Sequence, residues 1–459
     1  MLYSARQLEA PLRFGMTLAC TGMLLKILVL AMPVELSSPV AERLSSTVGQ
    51  LANAAFLSSL LLTGRGLLLA LPVALLLAMP ALLWPHGWAG RLVRAVVTGL
   101  TGVPAMATVL LVLGVVAFEA KLISLQWGML ATLALLLAPW VARAIVDSEG
   151  SPLVATGLLA RQSGNLLLSA LVAGLFSVPA VGGMQTLELA AFRQDLPLLF
   201  ALLSMAIPAV ALLHLVGDTL VAIGGDEQPG SQPFSPFVFV LGSVMAAGLL
   251  VAACLPGGEG SPLGPGARLS LTVGLGATLV ALAGATVLGL LSRLGGAVTE
   301  AALTPQGLTL GLMPPFVLGA VAVGLQGRSL LWLTVAIGAG SIPVLVGPFG
   351  RFLRSSNPVE RAPLWRTMAG GVVLALTQAL LTEVTLSTLS LGVPAGVTSL
   401  GTLMRSSISD TTARSSLWAA AVVAVGLAGL TVVGQSLIER SIVRPAIPEP
   451  TLLDEAENH

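Results

Sequence analysis

Long apolar runs separated by short polar segments dominate this sequence and restrict what it can fold into. An α-helix needs about 20 mostly apolar residues to cross the hydrocarbon core of a bilayer, and many of the runs reach that length. Of the 459 residues, 55% are hydrophobic and 9% are charged, whereas an ordinary soluble domain has about 25% charged residues. The pattern therefore predicts an all-α, polytopic membrane protein.

The runs form two groups of six, which predicts about 12 transmembrane helices in two related six-helix halves. The first group comprises residues 12–32, 64–84, 95–117, 122–142, 165–180 and 197–223. The second group comprises residues 237–255, 268–291, 307–325, 329–347, 367–382 and 415–437. A segment rich in Gly, Pro, Gln and acidic residues joins them. The predicted domains are therefore a first half at 1–223, a linker at 224–236, a second half at 237–445 and a C-terminal tail at 446–459.

The distribution of Lys and Arg indicates an orientation. If the N-terminus is cytoplasmic, a modest excess of these residues, including Arg91, Arg143, Arg351 and Arg366, falls on the cytoplasmic side, in agreement with the positive-inside rule. Six spans in each half then place both termini and the linker in the cytoplasm. We interpret residues 12–32 as a retained span and not as a removed signal peptide. The predicted location is a bacterial inner (cytoplasmic) membrane.

Several classes of function lack the residues that they need. A net charge of +1 gives no basic field for nucleic acid. Cys20 and Cys254 lack CxxC spacing and are predicted to be buried thiols, and the three histidines are not paired as metal ligands. The chain has no GxxxxGK[ST] loop to hold phosphates, so we expect no ATP binding, no cofactor and no enzymatic activity of its own.

Two stretches of the second half are similar to one known family. GARLSLTVGLGATLVALAGATVLGLLSRLGG, Gly266 to Gly296, resembles the second-span region of one permease subunit of dipeptide, oligopeptide and nickel ABC importers, which has GARxSLxVG at this point. TEVTLSTLSLGVPAGVTSLGTLM, Thr382 to Met404, looks like that family's EASLSFLGLG stretch and the tryptophan-glycine turn after it, with Leu400 in place of the tryptophan.

The first half is similar to the companion subunit of that family. FSVPAVGGMQTLELAAFRQDLP, Phe176 to Pro197, parallels an F-x-x-PGxG segment that is followed by an acidic residue and a proline. LLHLVGDTL, Leu212 to Leu220, matches a closing NLxxDxL pattern with His214 in place of asparagine. The four stretches occur in the expected order, so the chain resembles two permease subunits fused into one polypeptide.

This resemblance implies the membrane pathway of an ATP-driven importer, working with separate ABC ATPase subunits and an extracytoplasmic solute-binding protein. The implied substrates are dipeptides, oligopeptides, nickel chelates or other small solutes. The loops after the fifth spans, Val181 to Leu196 and Val393 to Arg414, would face outside and form the docking surface for the binding protein. The charged members of these loops are Glu188, Arg193, Asp195, Arg405, Asp410 and Arg414.

The sequence departs from the family on the cytoplasmic side. The family carries a longer loop with an EAAxxxG motif that docks on the ATPase, whereas this chain keeps only Ser151 to Gly164 and Asn357 to Thr367. Each shortened loop is long enough for a turn or two of helix. The candidates for ATPase coupling are Gly157, Leu159, Arg161, Glu360, Arg361 and Leu364.

Glu383 follows directly on the predicted eleventh span at its outer end. An unpaired carboxylate at that depth is costly, so we predict that it has a polar partner. Either a structural role or contact with substrate in the pathway would explain its position.

Two other functions stay open. The shortened loops also fit a permease-derived, non-transporting membrane scaffold that binds partner proteins and has lost ATPase coupling. A secondary transporter of two six-helix halves is the other alternative. For it, GWAGR (Gly87 to Arg91) is similar to a GxxxDxxGRR loop but lacks the aspartate and the second arginine.

Overall fold

The computed structural model describes residues 47–84, 87–103, 125–148, 154–160, 235–256, 262–302, 315–355, 358–389, 391–394, 396–409 and 414–442, with six positions between 212 and 220. Every regular element in these ranges is an α-helix. The helices are α1 (Thr47–Leu83), α2 (Trp88–Thr101), α3 (Leu125–Asp147), α4 (Pro236–Cys254), α5 (Leu263–Ala302), α6 (Pro315–Gln326), α7 (Leu330–Arg354), α8 (Pro358–Thr388), α9 (Leu400–Ser409) and α10 (Arg414–Ile442).

Six segments of the described helices are long and apolar enough to cross a membrane: Gly64–Leu83, Pro236–Cys254, Leu263–Leu291, Leu330–Leu353, Pro363–Thr388 and Trp418–Ile438. The prediction of an all-helical, multi-pass membrane protein is thereby confirmed. The predicted spans at 12–32 and 165–180 lie outside the described residues. The total of about 12 spans and their division into two halves stay predictions.

The predicted span at 367–382 is wrong in its limits, because one continuous helix, α8, runs from Pro358 to Thr388. Charged residues before position 367 and hydroxyl residues after 382 lower the local hydropathy, but they do not interrupt the helix. The hydroxyl groups of Thr385 and Thr388 donate to the carbonyl oxygens four residues earlier, each at 2.7 Å. A helix absorbs such side chains without exposing polar groups, so apolar content underestimates its length.

Other limits shift in the same way. Helix α2 begins at Trp88, so Arg91 and Arg94, predicted to lie in a loop before residue 95, are helical. The predicted outer loop at 393–414 contains the helix α9. Cys254 is exposed and not buried, because it is the last residue of α4, where the helix ends.

On α1, small side chains face inward and large apolar side chains face outward. Ala70, Ala74, Ala78 and Ala81 form a fully buried row on α1. Large apolar side chains face outward instead, with Leu76 71% exposed. Since lipid is as apolar as leucine, burial of large side chains gains little in a bilayer, and small residues bring the helices close together. The outward leucines form a surface suited to lipid.

Small residues also join α5 to α7. A methyl group at Gly276 would meet Thr334, one at Gly284 would overlap Ile342, and one at Gly289 would meet Leu353. Both sets of positions rise together along their helices, so α5 and α7 run parallel. Ala277, Ala281 and Ala285 are fully buried on the same helix, α5.

The second part of the chain forms a bundle with two distinguishable ends. Helix α8 runs antiparallel to α5, because Gly274 lies against Leu380 and the earlier Ser270 lies beside the later Glu383. One end of the bundle, which we call the α9 end, therefore contains α9, the C-termini of α4 and α8, and the N-termini of α5 and α7. The C-terminus of α7 and the N-terminus of α8 lie at the opposite end.

Arg268 fastens α4 to α5 at the α9 end. Its Nε donates to the carbonyl oxygen of Ala253 at 2.6 Å, and its Nη2 donates to that of Leu255 at 2.8 Å. The last carbonyl groups of a helix have no partner within the helix. A guanidinium satisfies two of them and complements the negative end of the helix dipole.

Helix α2 connects the first part of the chain to α10. Gly99 lies against Ala428, and Gly102 lies against Thr431 so closely that a methyl group on Gly102 would overlap the Thr431 side chain. Arg143 of α3 donates to Thr101 Oγ1 at 3.3 Å. The end of α2 is thus held by α10 on one side and α3 on the other.

We predict that Gly102→Ala destabilises the protein by about 1–3 kcal/mol, since the added methyl group overpacks the α2–α10 contact. Thermal unfolding of the purified protein in detergent measures the change. Gly248→Ala is the matched control, because Gly248 has open space around it, and this variant should unfold at or slightly above the wild-type temperature. Equal stabilities of the two variants would contradict the close approach at Gly102.

Candidate functional site

Among the described residues, Glu383 is the one charged side chain with no solvent exposure. It lies in the last turns of α8, inside the apolar segment Pro363–Thr388. Ser387, one turn later, donates to Glu383 Oε1 at 2.7 Å. The polar partner predicted for Glu383 is therefore present.

Two further serines face the carboxyl group. Ser270 comes from α5 and Ser399 from the start of α9, and the hydroxyl groups of both interact with the Glu383 side chain. Both serines are fully buried. Oε2 of Glu383 has no donor at good hydrogen-bonding geometry. Three helices thus contribute to one buried carboxylate–serine cluster, defined here as Ser270, Glu383, Ser387 and Ser399.

The start of α9 is built into this cluster. Ser399 precedes the helix and accepts a hydrogen bond from the N–H of Thr402 at 3.3 Å, while Thr402 Oγ1 accepts one from the N–H of Ser399 at 2.8 Å. This is a reciprocal helix cap with threonine in the place usually taken by Glu or Gln. The N–H of Leu400 donates to Ser270 Oγ at 3.1 Å. The first turn of α9 is therefore anchored to α5.

The serine hydroxyl groups compensate in part for the burial of the Glu383 carboxyl group. Hydroxyl donors offset part of the cost of removing a carboxylate from water, and the N-terminus of a helix carries a partial positive charge. Among the described residues, the cluster contains one titratable side chain. Such an arrangement positions chain segments and binds polar groups, and it lacks the paired acid and base of a hydrolytic site.

The docking candidates are only partly placed. Arg405 lies on α9, half-buried, and Arg414 is the first residue of α10. Arg328 lies in the α6–α7 turn. Burial lowers the pKa of Arg328, and the positive charge of nearby Arg405 lowers it further. The structure thus brings two arginines together at the α9 end. Outside the described residues lie Glu188, Arg193, Asp195 and Asp410.

The coupling candidates lie in helical segments. Residues 154–160 form a short helix, in which Gly157 is buried and Leu159 packs against the core between α1 and α3. Glu360, Arg361 and Leu364 belong to the first turns of α8, and Leu364 is half-buried. Arg161 lies outside the described residues. The helical turns predicted for both shortened loops are present.

The three serines are not among the predicted site residues. Serine is common near helix ends, and one that lies inside an apolar run gives no local sign of a partner. A usable signal was available, since Ser270 and Ser399 both lie inside the stretches that resemble the permease family. Among the described residues, no group of three His, Cys, Asp or Glu side chains is arranged to hold a metal ion.

Comparisons of the chain with protein families, with curated proteins and with solved structures give no match. The case for a function therefore depends on the residues themselves and on how the fold arranges them.

We predict that Ser387→Ala destabilises the protein by about 1–3 kcal/mol, because it removes the donor to a buried carboxylate oxygen. Thr385→Ala is the matched control on the same helix, since the Thr385 hydroxyl bonds only the carbonyl oxygen of Leu381, and its unfolding temperature should change little. Thermal unfolding in detergent compares the two variants. A Thr385→Ala protein as unstable as Ser387→Ala would show that the carboxylate is not a special partner.

Proposed function

We propose that the chain is the transmembrane permease of an ABC importer. The importer moves a peptide-like or other small solute, such as a nickel chelate, across the inner membrane. Separate ATPase subunits and an extracytoplasmic binding protein would complete the transporter. One observation carries the proposal: the two second-half stretches that resemble this family, 266–296 and 382–404, fold against each other. Gly266 lies beside Ser399 and Leu400, and Ser270 accepts the Leu400 N–H.

The distribution of arginine supports a cytoplasmic location for the end opposite α9. On the described helices and turns of the second part, that end carries Arg293, Arg351, Arg354, Arg361, Arg366 and Arg440, whereas the α9 end carries Arg268, Arg328, Arg405 and Arg414. Of the arginines at the α9 end, Arg268 has two of its nitrogens hydrogen-bonded to backbone carbonyl oxygens at the end of α4. An excess of arginine favours the cytoplasmic side.

Exposed tryptophans support a bilayer between the two ends. Trp332 and Trp418 lie near the N-termini of α7 and α10, at the α9 end, and Trp365 lies near the N-terminus of α8, at the opposite end. Tryptophan is enriched at both membrane–water interfaces. The α9 end would then be extracytoplasmic, with Arg405 in position for a binding protein.

The corner between α7 and α8 is the part of the described chain best suited to contact an ATPase. Phe352 and Trp365 hold the corner together with ring centroids 6.3 Å apart, and Trp365 is 57% exposed. Arg351 and Arg366 are exposed beside them. Leu159, by contrast, already packs in the protein's own core, so α8 is the stronger of the two coupling candidates.

A scaffold that no longer transports is a second candidate, favoured by the shortness of this corner. Helix α7 ends at Arg354 and α8 begins at Pro358, which leaves no separate coupling helix between them. Physical coupling requires an element with two arrangements in contact with the partner. In this chain, α8 itself would have to serve as that element.

We predict that alkaline phosphatase fused after Gly396 is active and that the same enzyme fused after Ser355 or Gly230 is inactive. The orientation argued above places the first position outside the cell and the other two in the cytoplasm. Activity normalised to fusion-protein level in whole cells measures this. The reverse pattern would place α9 in the cytoplasm and overturn the importer topology.

We predict that a cysteine replacing Glu360 or Arg366 crosslinks to an ATPase subunit co-expressed from the same genomic neighbourhood. The control is Arg405→Cys, at the α9 end, which should give no ATPase crosslink because the membrane separates the two. Crosslinked products are identified by mass spectrometry. If neither α8 position crosslinks and no ATPase co-purifies in detergent, the importer proposal fails and the scaffold replaces it.

A further inference from the structure

We infer that Glu383 is a positioning residue whose carboxylate holds the start of α9, and the segment that leads to it, against α5 and α8. The inference concerns how the chain places its α9 end. Its consequence for transport rests on the proposed function, whereas its structural part does not.

Each serine of the cluster accepts a hydrogen bond from a backbone N–H group. Ser387 Oγ accepts a hydrogen bond from the N–H of Val393 at 3.4 Å, Ser270 Oγ accepts one from Leu400 at 3.1 Å, and Ser399 Oγ accepts one from Thr402 at 3.3 Å. All three N–H groups belong to residues 391–402. Every serine of the cluster is therefore an acceptor for the backbone of the α8–α9 connection or of the first turn of α9.

The serine hydroxyl groups face the carboxyl group of Glu383. A hydroxyl group has one proton to give, and Ser387 gives its proton to Glu383 Oε1. Ser270 and Ser399 also face this carboxyl group. Glu383 thus ends a relay, in which the N–H of Val393 donates to Ser387 and Ser387 donates to the carboxyl group, while Ser270 and Ser399 lie beside that group.

Two other hydroxyl groups on α8, those of Thr377 and Thr385, behave differently, whereas that of Thr388 also reaches the carbonyl oxygen of Gly401 on α9 at 3.3 Å. Thr377 and Thr385 donate to carbonyl oxygens of their own helix, at 2.8 and 2.7 Å, so they connect nothing beyond α8. An apolar side chain at position 383 would avoid the cost of burying a carboxylate. It would offer Ser387 no acceptor, so what the carboxyl group supplies is the position of the segment that leads to α9.

The placement of α9 affects the surface at that end. Arg405 lies on α9, close to Arg328, and Gly401 on the same helix lies tightly against Val384 and Ser387. A shift of the first turn of α9 would therefore move Arg405 relative to the α6–α7 turn. Under the proposed function, Glu383 sets the geometry of the surface that receives the binding protein.

Amide hydrogen exchange of the full chain in detergent tests the structural part. In Glu383→Ala, exchange in peptides that cover 391–405 should accelerate about ten- to a hundredfold, because a buried hydroxyl group left without its acceptor costs a factor of that order. Thr377→Val is the matched control, a buried hydroxyl on the same helix, and should leave these peptides unchanged. A folded Glu383→Ala protein with wild-type exchange in 391–405 would overturn the inference.

Milder variants keep the test decisive if Glu383→Ala does not fold. Ser270→Ala should accelerate exchange at Leu400 but leave Val393 near the wild-type rate, since only Leu400 donates to Ser270. Glu383→Gln keeps an acceptor for Ser387 and loses the charge, so the acceleration should be smaller than in Glu383→Ala. If Glu383→Gln and Ser270→Ala accelerate Leu400 exchange by independent factors that multiply in the double variant, the two residues act separately and the relay is wrong.

Binding of the solute-binding protein tests the consequence for transport. Glu383→Ala should weaken it at least several-fold, while Thr377→Val should not. Accelerated exchange with unchanged binding would confine Glu383 to positioning α9 and remove its role at the docking surface. If the wild-type chain binds no such protein but the exchange results hold, the proposed function fails and the positioning role of Glu383 stands.

Discussion

The absence of hydrogen-bonding solvent in the bilayer core is the constraint on which this structure depends. Each backbone N–H and C=O at membrane depth needs a partner within the protein, and a helix supplies that partner locally. The same requirement applies to side chains. The hydroxyl groups of Thr377 and Thr385 bond their own helix, and Glu383 lies beside serines from neighbouring elements. The cluster at the α9 end is thus the same rule applied to a charge that no single helix satisfies.

Packing follows from the same solvent. Because lipid competes equally for leucine, the contact between helices is made by small residues, and the parallel pair α5 and α7 is joined along most of its length by glycine and alanine. Glycine and alanine give these helices smooth surfaces. The bundle is therefore held by close approach of the helices more than by interlocking side chains. Specific polar contacts, such as those of Ser270 with Leu400, then fix which arrangement of the helices is adopted.

Local properties made part of this fold predictable. The apolar run of α4 matches its helix almost residue for residue, because it lacks charges and hydroxyl groups at either end. The limits of α8 were not predictable from hydropathy, since its polar residues are satisfied within the helix. The need of Glu383 for a partner followed from its depth alone. The identity of Ser270 as part of that site did not, because 130 positions separate Ser270 from the Leu400 N–H that it accepts, and nothing in the local sequence reports such a pairing.

Arg268 has a consequence for how the chain enters the membrane during synthesis. Its two hydrogen bonds to the end of α4 connect residues only 13 and 15 positions apart, so they need no later part of the chain. With those carbonyl groups satisfied, the α4–α5 turn carries fewer exposed polar groups into the lipid. The turn between α4 and α5 can therefore form before α7 and α10 pack against these helices.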